Sequence, residues 1–245
     1  MNRSSIIIRL KSTNSLWMWI YVTIKAVIFD LDGTVAKFNL EYRVVRAEVI
    51  SFLISRGLPA SVFSLDESIF EMLKKTEIFL HNLGRDQVEL PEIQNMALAI
   101  ASSYELKAAH TTALLPGVLE VLKELKQRGL KLAIFTINGK SSTKIILRNL
   151  RIREFFDAVV TRDDTSRVKP DPIHLTRTLE ALDVSPNQAV VVGDSEVDLA
   201  CARALKVQCF GVATETNASR LPRNTTTAPI LDSITDLPKA LSHLS

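Results

Sequence analysis

Hydrophobic residues fall in two patterns that alternate along the second half of the chain. Compact apolar runs at residues 24–29, 130–135, 158–160 and 189–192 are bounded by polar or turn-forming residues. Such compact runs, interrupted only by Lys25 and Lys131 near the starts of two of them, predict strands buried on both faces, as in a parallel sheet. Between them the apolar positions recur at helical spacing. Val118, Val121, Leu122 and Leu125 follow Pro116, and Lys123, Lys126 and Arg128 precede Gly129, which describes a helix with a basic end and a glycine stop. Further helices are predicted over 141–150, over 172–182 with Asp171 as N-cap, and over 196–205. A short strand at 207–212 and a last strand and helix near Ile230 and Leu237 complete the series. The βαβα order predicts an α/β fold, a doubly wound and mostly parallel sheet with helices on both faces.

The first half has a different texture. After residue 34 no strand-like run appears until about residue 112, and helical patterns occupy roughly 40–55, 65–83 and 91–109. This predicts an inserted all-α domain at 37–112 within a core made of 24–36 and 113–245, with both ends of the insertion beside the first core strand. Residues 1–23 are read as a surface extension, or as sequence upstream of a natural start at Met18. Their apolar runs, at 6–8 and 16–22, are too short to span a bilayer, which takes about 20 apolar residues. Arg9 interrupts any signal-peptide core, and an interfacial anchor through Trp17 and Trp19 is the remaining membrane reading. The polar stretch 214–228 predicts a loop, and its sequons at Asn217 and Asn224 carry no weight in a cytosolic protein.

Composition narrows the class. Apolar residues make up 47% of 245 and charged residues 23%, ordinary for a globular protein with a full core. A net charge of +3 with dispersed basic residues argues against a nucleic-acid partner. Cys201 and Cys209 form no CxxC pair, so neither a disulfide framework nor a zinc site is indicated and a reducing, cytoplasmic location is expected, without stable membrane association. The four histidines are scattered and have no metal-ligand spacing. Nothing in the pattern specifies an oligomeric state.

Chemistry concentrates where the apolar runs end. The first run stops at Asp30-Leu31-Asp32-Gly33-Thr34, and ligands of open parallel sheets bind at the carboxyl ends of strands. Alone, two acids and a glycine are equally a turn, a metal site or a catalytic pair. Three other segments follow in order: Thr136 after the run 132–135, Lys169 in Val168-Lys169-Pro170-Asp171-Pro172, and Gly193-Asp194-Ser195-Glu196-Val197-Asp198 after 189–192. Together they resemble the four motifs of the haloacid dehalogenase (HAD) superfamily, over residues from about 25 to 205. Thr161-Arg162-Asp163-Asp164 is similar to the phosphoglycolate phosphatase group, whose members have a Rossmann-like core and a C1 helical cap. Two positions depart from the relatives' pattern: Ile137 separates Thr136 from Asn138, and Leu205-Lys206 stands where many relatives have Ala-Gly.

The resemblance implies roles. Asp30 is the expected nucleophile, forming an aspartyl-phosphate that divides a difficult hydrolysis into two steps, and Asp32 the general acid and base. Thr136 and Lys169 are expected to bind the phosphoryl group. A hard cation is implied on electrostatic grounds as well, because two carboxylates about 4 Å apart repel by about 4 kcal/mol at an effective dielectric near 20. Mg²⁺ accepts such oxygen ligands, and by resemblance they are Asp30, the backbone carbonyl of Asp32, and Asp194. Asp198 is read as a further metal-site residue and, through its S-x-x-D spacing with Ser195, as a helix capping box, two roles that need not exclude each other. An acid at position 32 disfavours dehalogenases and phosphonatases. The expectation is a Mg²⁺-dependent phosphatase acting on a small phosphorylated metabolite. A β-phosphoglucomutase-type phosphomutase, a pyrophosphatase and a non-catalytic regulatory module are the alternatives. Lys37, Arg43, Arg46 and Arg85 of the insertion are candidates for an anionic substrate tail or simply solvated charges.

Overall fold

The computed structural model describes residues 5–11, 17–213 and 228–244, with side chains from Thr23 onward. The two sequons and most of the predicted 214–228 loop lie outside the described residues, as do the side chains of Trp17, Met18 and Trp19. By contacts the chain divides into two compact units. One is formed by the chain up to Phe38 and from Thr112 onward, the other by Asn39–Thr111.

The first unit is built on a six-stranded parallel sheet. Its strands are β3 (Ala26–Phe29), β6 (Lys131–Phe135), β7 (Ala158–Val160), β8 (Ala189–Gly193), β9 (Gln208–Val212) and β10 (Ile230–Leu231), in the order β10-β9-β8-β3-β6-β7. Along β3, Ala26 and Ile28 join a core with Phe135, Leu175, Leu179, Val191 and Leu199. The alternating residues Val27 and Phe29 are just as fully buried, which is why the run is continuously apolar. The helices are α4 (Val118–Gln127), α5 (Lys140–Asn149), α6 (Pro172–Leu182), α7 (Glu196–Ala204) and α8 (Leu237–Ser242). Asp171 caps α6, its side chain accepting the Ile173 N–H at 3.0 Å. Lys206 takes the left-handed conformation (φ +55°) past the end of α7, a position that favours glycine.

Three elements differ from or add to the sequence reading. Within the stretch read as a surface extension, β1 (Ser5–Lys11) and β2 (Trp17–Thr23) pair antiparallel, with Ser5 opposite Thr23. Two two-residue strands, β4 (Ala36–Lys37) and β5 (Ala113–Leu114), pair antiparallel, which is too little sequence to leave a pattern. The third is in the other unit.

That unit comprises α1 (Tyr42–Ser55), α2 (Ile69–Asn82) and α3 (Asp86–Ala109). Val49, Leu53, Met72, Leu80, Ile93 and Ala97 form its core, each large side chain contributing about 1.5–3 kcal/mol by burial. Ser68 and Glu71 close a capping box on α2. Helix α3 starts five residues before Pro91, where the sequence reading placed its start. Asp86 and Glu89 favour a first turn there, and Arg85 clamps Glu89 through two hydrogen bonds of 2.6 and 2.7 Å. Arg43 pairs with Asp66 at 3.2 Å and Arg46 donates to the Leu65 carbonyl at 3.0 Å, so these cations have partners within their own unit.

Candidate functional site at the strand ends

Asp30 follows β3 directly, and its N–H donates to the Val192 carbonyl at 2.9 Å, extending the ladder between β3 and β8 by one residue. The chain then turns tightly. The Leu31 carbonyl accepts the N–H groups of Val35 (3.0 Å) and Ala36 (2.8 Å), and the Gly33 N–H donates to the Ala36 carbonyl at 2.9 Å. Gly33 has φ +83°, and a Cβ there would stand 2.7 Å from Asp194 Cγ. Two conditions therefore demand glycine: a left-handed backbone and the close approach of a carboxylate from the next strand. Gly193 ends β8 under a similar constraint, since a Cβ would stand 2.6 Å from Asp198 Cγ.

Lys169 joins these elements. Its Nζ donates to Asp30 Oδ1 at 2.5 Å and to Asp198 Oδ1 at 2.6 Å, and lies 4.2 Å from the centroid of the Phe135 ring. Relative exposure is 5% for Asp30, 6% for Lys169 and 0% for Asp198. Asp198 Oδ2 accepts both the N–H (3.1 Å) and the hydroxyl (2.5 Å) of Ser195, completing a capping box on α7. Asp198 is thus at once a helix cap and a partner of Lys169. Asp30, Asp194 and Asp198 each also offer an oxygen within 4.8 Å of the others.

The electrostatics are those of an acidic cluster short of positive charge. Burial, only partly offset by Lys169 and reinforced by Asp198 and Asp194, pushes the Asp30 carboxyl up to about 8. Burial and the charges of Asp30 and Asp194 hold Asp32 well above the usual carboxylate range. Burial opposes the charge of Lys169, yet Asp198 and Asp30 outweigh it and raise its pKa. One ammonium among four carboxyl groups is too little positive charge to keep them all ionised. All the donors are hard oxygens, so the cluster fits a hard divalent cation.

Thr136 follows β6, its N–H donating to the Val160 carbonyl at 3.0 Å while its hydroxyl oxygen accepts the Asn138 N–H at 3.2 Å. Asn138 Nδ2 and Thr34 Oγ1 are buried without a hydrogen-bond partner, two polar groups at the strand ends that the sequence reading did not assign. It also missed Phe135 as the surface beneath Lys169, and Arg162, whose N–H and Nη1 donate to the carbonyls of Asn138 (3.3 Å) and Ile137 (3.1 Å). Thr161-Arg162-Asp163-Asp164 was the available signal for Arg162; nothing distinguishes Phe135 from any core phenylalanine.

A model of the haloacid dehalogenase-like hydrolases matches residues 27–212, a span that contains every residue of this cluster. The chain belongs to that family. It is an enzyme of HAD type, and its reading as a phosphoric monoester hydrolase stands with that membership. Pyrophosphatase PpaX of Bacillus cereus (strain G9842) is 31% identical over 191 residues, covering 72% of this chain and 77% of that protein. Solved structures share the fold. CbbY from Rhodobacter sphaeroides, in complex with phosphate, aligns with a TM-score of 0.60 at 24% identity, over 87% of this chain and 96% of that one. A predicted phosphoglycolate phosphatase from Haemophilus somnus 129pt aligns with a TM-score of 0.57 at 20% identity, over 89% and 97%. No helix among the described residues of this HAD chain is long and apolar enough to cross a membrane.

Proposed function

We propose that this chain hydrolyses a small phosphomonoester, in the manner of the phosphoglycolate phosphatase group, through an aspartyl-phosphate on Asp30. The observation that supports this most is the buried contact of Lys169 with Asp30 and Asp198, beside the Asp194 carboxylate that Gly33 admits. Asp30 attacks phosphorus, forming a P–O bond to its carboxylate while the bond to the leaving oxygen breaks. Asp32, whose raised pKa keeps a proton available, gives that proton to the leaving oxygen. The resulting Asp32 carboxylate takes a proton from water, which attacks phosphorus and releases phosphate, restoring Asp30. Lys169 holds Asp30 in place and offsets phosphoryl charge, and Thr136 donates its hydroxyl to a phosphoryl oxygen. Asp30, the Asp32 carbonyl, Asp194 and Asp198 are the residues that would hold Mg²⁺, which when bound supplies further neutralisation of phosphoryl charge.

Pyrophosphate is a second reading for the substrate, favoured by the relatives of 30–31% identity that are named pyrophosphatases. Initial rates on a panel of phosphorylated metabolites and pyrophosphate, with Mg²⁺ and with chelator, distinguish the two. Asp30→Asn is expected to lower turnover of every substrate at least about a thousandfold. Undiminished turnover by this variant, or full activity in chelator, contradicts the mechanism. Conversion of a sugar phosphate to its isomer would identify a mutase, and no turnover on any substrate a binding module.

A further inference from the structure

We propose that the outer side of α5 carries a second anion site, separate from the strand-end cluster, that takes a small organic phosphate with an apolar body, of the size and charge of a nucleoside di- or triphosphate. A cavity of about 620 Å³ lies there, within the range of small-molecule sites, and none of Asp30, Asp32, Thr136, Lys169, Asp194 and Asp198 lines it. Five cationic and two anionic side chains line it, a net of three positive charges. That equals the formal net charge of the whole chain.

Lys140, Lys144 and Arg148 follow one another at steps of four along α5, placing three like charges on one face at self-repelling spacing, and Arg151 follows just past the helix end. Lys140 is already engaged, its Nζ donating to Asp164 Oδ1 at 2.8 Å, and Arg153 donates to the Phe156 carbonyl at 2.7 Å. The side chains of Lys144, Arg148 and Arg151 have no hydrogen bond or ion pair among the described residues, although the Arg151 N–H donates to the Arg148 carbonyl at 3.1 Å. An extended polyanion would be met by such a stripe alone, but this one borders a cavity that Leu147 and Val159 also line. Those side chains suit an apolar body rather than a second row of phosphates.

Thr143 is the independent observation. It lines the cavity, is 1% exposed, and its hydroxyl has no hydrogen-bond partner, the condition of a buried polar group that a ligand satisfies. Arg151 adds a test of its own. It follows α5 in the left-handed conformation, with φ +55°, where glycine is favoured. Glycine could hold this turn, so replacing Arg151 by glycine tests the side chain apart from the backbone.

The test is equilibrium binding of ATP to the full chain in chelator, by calorimetry, at low salt. ATP is expected to bind the wild-type chain, and Lys144→Glu with Arg148→Glu to weaken binding by about tenfold or more, leaving turnover of a chromogenic phosphomonoester in the absence of ATP unchanged. Arg151→Gly is expected to weaken binding while the thermal midpoint stays equal or rises, a combination that a purely structural role for Arg151 would not produce. Failure of ATP to bind, wild-type affinity in these variants, or tighter binding of a single-stranded oligonucleotide than of ATP at equal phosphate concentration would overturn the proposal. Binding is read without turnover, so failure here leaves the catalytic proposal standing.

Discussion

Charges in the strand-end cluster and charges on the helical unit Asn39–Thr111 use the same residue types under opposite conditions. Lys169 meets Asp30 and Asp198 with side chains exposed by 8% or less, whereas Arg43 meets Asp66 with side chains exposed by 71% and 83%. A buried pair is costly to break because the remaining partner stays desolvated and uncompensated. An exposed pair dissolves into water, and its Coulomb energy is largely screened. On this molecule the ion pair proposed to carry chemistry is the one whose alternatives the fold has removed, not one of those where charges are most numerous.

Breaking the buried pair should have the largest effect on stability. Lys169→Met leaves Asp30 and Asp198 without their ammonium. It is expected to cost about 3–5 kcal/mol and to abolish most phosphatase turnover, as denaturant titration and initial rates would show. Retention of the wild-type unfolding midpoint would mean the carboxylates simply protonate without penalty.

His174 sharpens the comparison from a neutral neighbour. Burial, then the charge of Lys169, lowers its pKa to about 4, below the ordinary 6.5, and its ring stands edge-on to Phe135 at 5.6 Å. A depressed folded-state pKa means that the unfolded chain binds the extra proton between about pH 6.5 and 4. Stability should therefore fall as pH drops through that window, by up to about 3 kcal/mol. His174→Gln should remove this part of the acid sensitivity, seen as a flatter stability profile against pH. An unchanged slope would show that His174 does not titrate in this way. The smallest effect is expected from Arg43→Ala, which should move the thermal midpoint by no more than about 2 °C.

Much of this was legible in sequence, and the reasons differ by region. The core strands could be read because both faces of β3, β6 and β8 are covered, which leaves continuous apolar runs. Helix α6 could be read from Asp171 and Pro172, a cap and a preferred first residue. Asp30, Asp32 and Asp194 stood out because polar residues end apolar runs where a parallel sheet opens to ligands, whereas Lys169 was placed by the resemblance of its Val-Lys-Pro-Asp-Pro segment to a family motif. What sequence does not carry is the meeting of distant residues. Asp198 caps its own helix and also receives Lys169, 29 residues earlier; the spacing suggested only the cap or a metal ligand. The approach of Asp194 to Gly33 is likewise a property of neighbouring strands, and the glycine alone reads as a turn. The start of α3 was misplaced because Pro91 is a strong local signal and the Arg85–Glu89 clamp a weak one. The short pair β4 and β5 is held by register rather than by any apolar pattern.

In the proposed reaction Asp30 itself accepts the phosphoryl group. The most direct test of this step is acid quenching of the enzyme during turnover with Mg²⁺, followed by peptide mass spectrometry, on the wild type, Asp32→Asn and Asp30→Asn. A phosphoryl adduct on Asp30 that accumulates when Asp32 is changed, and is absent in Asp30→Asn, is the expected result. No adduct in any form, with turnover persisting in Asp30→Asn, would contradict it.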